Sequence, residues 1–285
     1  MSYLLLILSL TGNAFRATIS KFIGRDYVSK GEDPRLFNTV SGVVTSLLLL
    51  CASSFSLPLD KKSILLALLF GFVYFIAFFS YSKAISLGSM SYTTLFTSLG
   101  MIIPIVYSSI FLGEVTPLIQ VVGFILLIFS LVIMNTGKKE SGRFSISWII
   151  WVFISFLASG SISLIQKLSS SIGVSENSLG FLSITFAFYT LFSALSLIFY
   201  HEKLIFSLKR VVLSALQGVC DALQHSLNFI LASLLPAIFL FPTLGGGAAL
   251  LAVLVSVIFF KEKFSLREKI SVLLIIISLV LLSIS

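Results

Sequence analysis

The sequence predicts an all-α membrane protein, with ten transmembrane helices arranged as two inverted five-helix repeats. Three observations carry this expectation. First, 58% of the 285 residues are hydrophobic and only 11% are charged, where a soluble domain carries about 25% charged residues. Second, apolar runs such as 121–133 and 270–284 show no alternation of period two. Backbone polar groups cannot face lipid unpaired, so such runs are helices rather than barrel strands. Third, the segment Ser108-Ser109-Ile110-Phe111-Leu112-Gly113-Glu114 returns 148 residues later as Ser256-Val257-Ile258-Phe259-Phe260-Lys261-Glu262.

The spans run, in order, over 3–23, 36–57, 63–86, 90–112, 116–136, 146–168, 178–200, 208–230, 236–260 and 265–284. Each is close to the ~20 residues that cross a bilayer. The expected organisation is a first repeat at 1–137, a connecting loop at 138–145 and a second repeat at 146–285. Five spans per half is an odd number, so the two copies enter the membrane in opposite directions. Asn13, Arg16 and Lys21 interrupt the first apolar run, which makes it a span rather than a signal peptide. The net charge of +8 sits in loop Lys and Arg and is read as topology, with the lipid bilayer as partner and no nucleic acid. Basic loops around Arg25, Lys30 and Arg35, Lys138, Lys139 and Arg143, Lys203, Lys209 and Arg210, and Lys261, Lys263, Arg267 and Lys269 put both termini outside the cytoplasm. Cys51 and Cys220 lie in apolar segments and read as packing thiols.

Span eight is the most polar. Gln217, Asp221, Gln224 and Asn228 recur at +4, +3 and +4 and share one helical face, with His225 close by. A charged side chain at mid-membrane costs about 3 kcal/mol on insertion scales, so it faces a cavity or a partner. Two readings stand: a substrate pathway, or an internal polar network that holds helices together. In the first, Asp221 and His225 are also candidates for binding a coupling proton. Span one carries Asn13 and Arg16. Arg16 is an anchor for an anionic group, the partner of Asp221, or a side chain reaching for the headgroups.

Span three offers Tyr74 as a cavity residue, while Tyr81 and Tyr92 read as interfacial aromatics. Span six offers Ser163 and Gln166 on one face, and Lys167 reads as snorkelling at the helix end. Pro242 followed by Gly245, Gly246 and Gly247 in span nine suggests a hinge, a broken helix or very close packing, with Pro104 in span four as a weaker counterpart. Glu114 and Glu262 each precede a span and read as caps of its helix N-terminus. No metal-ligand cluster, phosphate loop or nucleophile triad is visible, and His201 falls in a loop. No cofactor, metal or catalytic activity is expected.

Ile110-Phe111-Leu112-Gly113-Glu114, a turn, then Gln120-Val121-Val122-Gly123 opening the next helix resembles the drug/metabolite transporter superfamily, EamA-like branch. So do Tyr81-Ser82-Lys83-Ala84-Ile85-Ser86-Leu87-Gly88 before a Pro104-containing helix, and Thr11-Gly12-Asn13-Ala14-Phe15 in the first span. The chain departs from the pattern at Thr11, where the usual residue is Trp, and at Phe260-Lys261-Glu262. The resemblance implies two inverted five-helix repeats working as a secondary transporter or exporter. It further implies that helices 1, 3, 4, 6, 8 and 9 surround a central cavity while 5 and 10 form a scaffold. It also implies cytoplasmic termini, against the basic-loop reading.

Together these point to alternating-access transport of a small organic metabolite, such as an amino acid or derivative, in a bacterial plasma (inner) membrane. The mixed signs of Arg16, Asp221 and His225 favour a substrate carrying both charges. The alternative is an exporter of cationic drugs or other lipophilic cations.

Overall fold

The computed structural model describes residues 2–26, 35–88, 90–135, 145–171, 177–198, 207–260 and 265–284. Within them the chain is helical, with no strand: α1 Ser2–Asp26, α2 Arg35–Ala52, α3 Lys61–Leu87, α4 Met90–Ser98, α5 Ile102–Phe111, α6 Leu118–Asn135, α7 Ile146–Ser171, α8 Ser178–Ile198, α9 Leu208–Leu234, α10 Ala237–Phe260 and α11 Leu266–Ser283. Helices α4 and α5 occupy one expected span, interrupted by a 3-10 turn at Leu99–Met101. The described elements therefore occupy all ten expected positions. Among the described residues, five stretches are long and apolar enough to cross a membrane: Arg35–Ala52, Lys61–Leu87, Tyr92–Phe111, Ile146–Ser169 and Ser178–Ile198.

Local chemistry sets several ends. Asp60 accepts the Ser63 N–H at 3.0 Å and caps α3. Ser265 and Glu268 form a reciprocal capping box at the start of α11. Gly113 has φ +66, a conformation that glycine adopts without steric cost. It closes α5 by letting the Glu114 N–H reach the Ser108 carbonyl at 3.1 Å.

The chain divides into two compact units. Unit 1 comprises Tyr3–Phe75 and Leu168–Ile230; unit 2 comprises Ile76–Lys167 and Leu231–Ser285. Each unit draws on both halves of the sequence. In unit 1, α2 lies along α8. The Ser46 and Ser183 hydroxyls each donate to the other's carbonyl at 2.9 Å, and the Thr39 and Ser193 hydroxyls meet at 3.0 Å. Small polar residues suit a helix pair in lipid, where apolar contact alone gives no preference for protein over solvent. In unit 2, α6 lies along α11, and α10 packs against both. Gly123 lets α6 come within contact of the α11 backbone at Ser278 and Leu282.

Helix α10 runs unbroken through Pro242 and the three glycines. A Cβ at Gly246 would lie 2.8 Å from Leu127 Cδ1, so close packing accounts for that glycine. At Gly245 the nearest atom to such a Cβ is Met101 Sδ at 3.5 Å.

Two expectations are corrected. Lys167 does not snorkel: its side chain is 10% exposed, and Nζ lies 2.6 Å from Glu114 Oε1 and donates to the Leu235 carbonyl at 2.8 Å. Glu114 does cap a helix, but not the one that follows it. Its Oε2 accepts the Ala237 N–H at 2.7 Å, at the start of α10. Both corrections have one cause: each charge finds a buried partner from a distant segment, which outweighs reaching for water. Lys30, Lys138, Lys139, Arg143, Lys203, Lys261, Lys263, His201, Glu262 and most of the 138–145 link lie outside the described residues, as does the Arg25 side chain.

Candidate functional site

Eight of the residues singled out in the sequence fall within unit 1: Asn13, Arg16, Tyr74, Gln217, Asp221, Gln224, His225 and Asn228. Helix α9 carries five of them. Gln217, Asp221, Gln224, His225 and Asn228 are all buried. Val212, Leu216, Val219 and Leu223 repeat the same +4, +3, +4 spacing on another face and are 43–49% exposed. Helix α9 is thus amphipathic in the sense suited to lipid, with its apolar stripe outward and its polar stripe in the protein.

Glycines let the surrounding helices approach. A Cβ at Gly218 would lie 2.6 Å from the Ser41 carbonyl, and the Thr45 hydroxyl donates to the Gly218 carbonyl at 2.9 Å, joining α2 to α9. A Cβ at Gly71 would lie 2.6 Å from the Thr185 carbonyl and 2.9 Å from the Tyr189 nitrogen, so only glycine lets α3 press onto α8. One turn on, Tyr74 enters an aromatic cluster, its ring centroid 4.9 Å from Phe70, 5.2 Å from Phe186 and 6.3 Å from Tyr189.

Three polar contacts converge on the α9 stripe. Arg16 Nε lies 2.5 Å from Asp221 Oδ1. The Tyr74 hydroxyl lies 2.8 Å from His225 Nδ1, with the two rings edge to face at 5.1 Å. The Ser9 hydroxyl donates to Asn228 Oδ1 at 2.6 Å. The Arg16–Asp221 pair lies within electrostatic reach of Tyr189, and Arg16 also of Tyr74. Of the three sequence readings of Arg16, the ion pair with Asp221 is the one the structure contains.

The pair is lopsided. Asp221 is 10% exposed in its side chain and Arg16 is 40% exposed. Arg16 Nε is fully covered, so the accessible area belongs to the rest of that side chain. The η nitrogens have no recorded partner among the described residues. Gln224, three residues beyond Asp221 on the same face, has a buried carbonyl oxygen with no hydrogen-bond partner among the described residues. Asn13 is half-buried.

Ser163 and Gln166 fall in unit 2, as do Pro242, Gly245, Gly246 and Gly247. Ser163 makes only a 3.5 Å contact to the Ser159 carbonyl on its own helix. Gln166 is buried. Tyr81 meets Thr94 at 2.9 Å, and Tyr92 packs on the Ala84–Trp148–Val152 cluster. Sequence reasoning missed Ser9, Phe186 and Tyr189. Ser9, Asn13 and Arg16 have the +4, +3 spacing of one helix face, a signal that could have found Ser9. The two aromatics carry no such mark in a chain with 28 Phe. No group of three or more His, Cys, Asp or Glu able to hold a metal occurs among the described residues.

A solved structure, titled only as a crystal structure of a protein, is similar to this chain over 98% of each, with a TM-score of 0.79 at 15% identity. At that identity the likeness speaks to the fold alone. No curated protein matches the sequence. Residues 1–136 match the model of the EamA-like transporter family, whose members are membrane transporters of small solutes rather than enzymes. Residues 1–136, just under half of the chain, are thus similar to the EamA-like transporter family, part of the drug/metabolite transporter superfamily.

Proposed function

We propose that the protein is a secondary active transporter, working as an exporter by alternating access, of a small zwitterionic metabolite such as an amino acid or derivative. The observation that carries this reading is the Arg16–Asp221 pair on the buried polar stripe of α9. A guanidinium with a free end suits a carboxylate. The Gln224 carbonyl, an acceptor still wanting a donor, suits an ammonium. The stripe, with Asn13 and Tyr74, makes up the proposed substrate path in unit 1; Ser163 and Gln166 are separate proposed substrate contacts of unit 2. The proposed location is a bacterial plasma membrane. Protons are the proposed coupling ion, with Asp221 and His225 as carriers. The glycines of α10 are the proposed flexing point. The pairing of α2 with α8 and of α6 with α11 supports the repeat, since each helix meets the one at its own ordinal place in the other half.

A thermal-shift panel of amino acids, organic anions and lipophilic cations tests the substrate class. A ligand at 100 times its Kd stabilises the folded state by about 2.7 kcal/mol. Zwitterions shifting the wild type uphold the reading. A shift by simple cations alone replaces it with the second reading, an exporter of lipophilic cations. The aromatic cluster of Tyr74, Phe186 and Tyr189, with Asp221 in electrostatic reach of Tyr189, favours that alternative. In proteoliposomes, substrate accumulation that survives collapse of the pH gradient excludes proton coupling.

A further inference from the structure

The Arg16–Asp221 pair neutralises itself, and that sets what can replace it. A buried site with one fixed cation and one fixed anion accepts a zwitterion with no net charge left over. A simple carboxylate or a simple amine leaves one uncompensated charge in a medium of low dielectric, which is strongly unfavourable. The two ends of the pair are also unequally available. Asp221 is 10% exposed and holds Arg16 by the covered Nε, while the accessible part of Arg16 lies elsewhere on its side chain. An incoming carboxylate therefore meets Arg16 first, from its open end. Once Arg16 has turned to it, the Asp221 carboxylate is free. Gln224, one turn along the same face, adds a buried acceptor with no partner among the described residues.

We propose that Asp221 is an internal stand-in for the substrate's carboxylate. In the empty carrier it occupies Arg16. In the loaded carrier the substrate's carboxylate takes Arg16, and the substrate's ammonium takes Asp221 together with the Gln224 carbonyl. One ion pair becomes two, and the substrate adds no net charge to the site. This exchange rests on the zwitterion reading above and deepens it: discrimination comes from charge balance rather than from shape. It follows that removing one member of the pair switches selectivity instead of simply abolishing binding. Asp221→Asn leaves a site of net positive charge that prefers acids. Arg16→Gln leaves one of net negative charge that prefers amines.

The experiment compares binding of a panel of neutral amino acids, their deaminated acids and their decarboxylated amines to wild type, Asp221→Asn and Arg16→Gln in detergent. The expected result is that the wild type binds amino acids. Asp221→Asn gains affinity for the acids by tenfold or more, and Arg16→Gln gains it for the amines. If the wild type binds amino acids but both variants lose all ligands without gaining either class, the stand-in is overturned and the zwitterion reading survives. If the wild type binds only amines, the zwitterion reading falls and the stand-in with it. A measurement on the wild type covers variants that fail to fold. The chain has four aspartates, and with carbon-13 in their carboxylates, infrared difference spectra on adding a bound amino acid show a changed aspartate band. No change in that band overturns the stand-in.

Discussion

Two ion pairs lie among the described residues of this membrane chain, and they differ in how completely their atoms are used. In unit 2, Lys167 meets Glu114 at 2.6 Å and also donates to the Leu235 carbonyl, while the other oxygen of Glu114 takes the Ala237 N–H. That arrangement ties the end of α5, the far part of α7 and the turn between α9 and α10. In unit 1, Arg16 is the one partner of Asp221 among the described residues, and Arg16 keeps an accessible end with no partner among them. A saturated pair stabilises one geometry. A pair with spare donors beside a spare acceptor is poised to accept something else. The lesson is that a buried charge is read by what remains unsatisfied around it, not by the charge itself.

The largest expected effect breaks the saturated pair. Glu114→Ala strands the Lys167 cation and uncaps α10, and costs about 3–5 kcal/mol, read as a marked fall in the thermal unfolding midpoint in detergent. A loss no bigger than the ~0.5 kcal/mol of a surface substitution would make the two pairs equivalent. Next comes the open pair. Arg16→Gln with Asp221→Asn replaces both charges by neutral groups of similar shape. Stability stays within about 1–2 kcal/mol of wild type, while amino-acid affinity falls by at least tenfold, about 1.4 kcal/mol. A third test sharpens the contrast inside unit 2. Gly246→Ala pushes against Leu127 and Leu279 and costs about 1 kcal/mol. Gly245→Ala meets little and stabilises by about 0.5–1 kcal/mol. If α10 flexes there, Gly245→Ala also slows transport in proteoliposomes. The smallest effect lies outside both pairs. Hydrogen bonds from the Ser63 side chain and backbone hold the Asp60 carboxyl below its ordinary value near 3.8. Its contribution is present above that value and fades as pH falls through it. Asp60→Asn therefore lowers stability slightly at neutral pH, and the difference from wild type closes as pH falls below the ordinary value.

Most of the helical layout is legible in the sequence, because long apolar runs have one solution in lipid. The 3-10 break at Leu99–Met101 is legible as well, through Pro104, which has no N–H for the Gly100 carbonyl four residues back. The polar stripe of α9 is legible as a stripe through its spacing. Which charge it faces is not, because Arg16 lies 205 residues away and three fates for it look alike on paper. The Glu114–Lys167 pair escapes sequence reasoning for the opposite reason. Each residue sits at the end of a span, where reaching for water is the default, and only the Gly113 turn and the packing of unit 2 bring the two together. Phe186 and Tyr189 are hidden among many similar rings.

The separation of Arg16 from Asp221 also has a consequence for how the protein is made. At about 5–20 residues per second, Asp221 is synthesised roughly 10–40 s after Arg16. Through that interval α1 is in the membrane with its guanidinium unanswered, and α9 then arrives with six buried polar side chains of its own. Neither segment is a comfortable lodger in lipid alone. The first to arrive must be sheltered by the insertion machinery or by earlier helices until the last polar helix comes to meet it, so the contact proposed to select the cargo would also be a checkpoint in biogenesis.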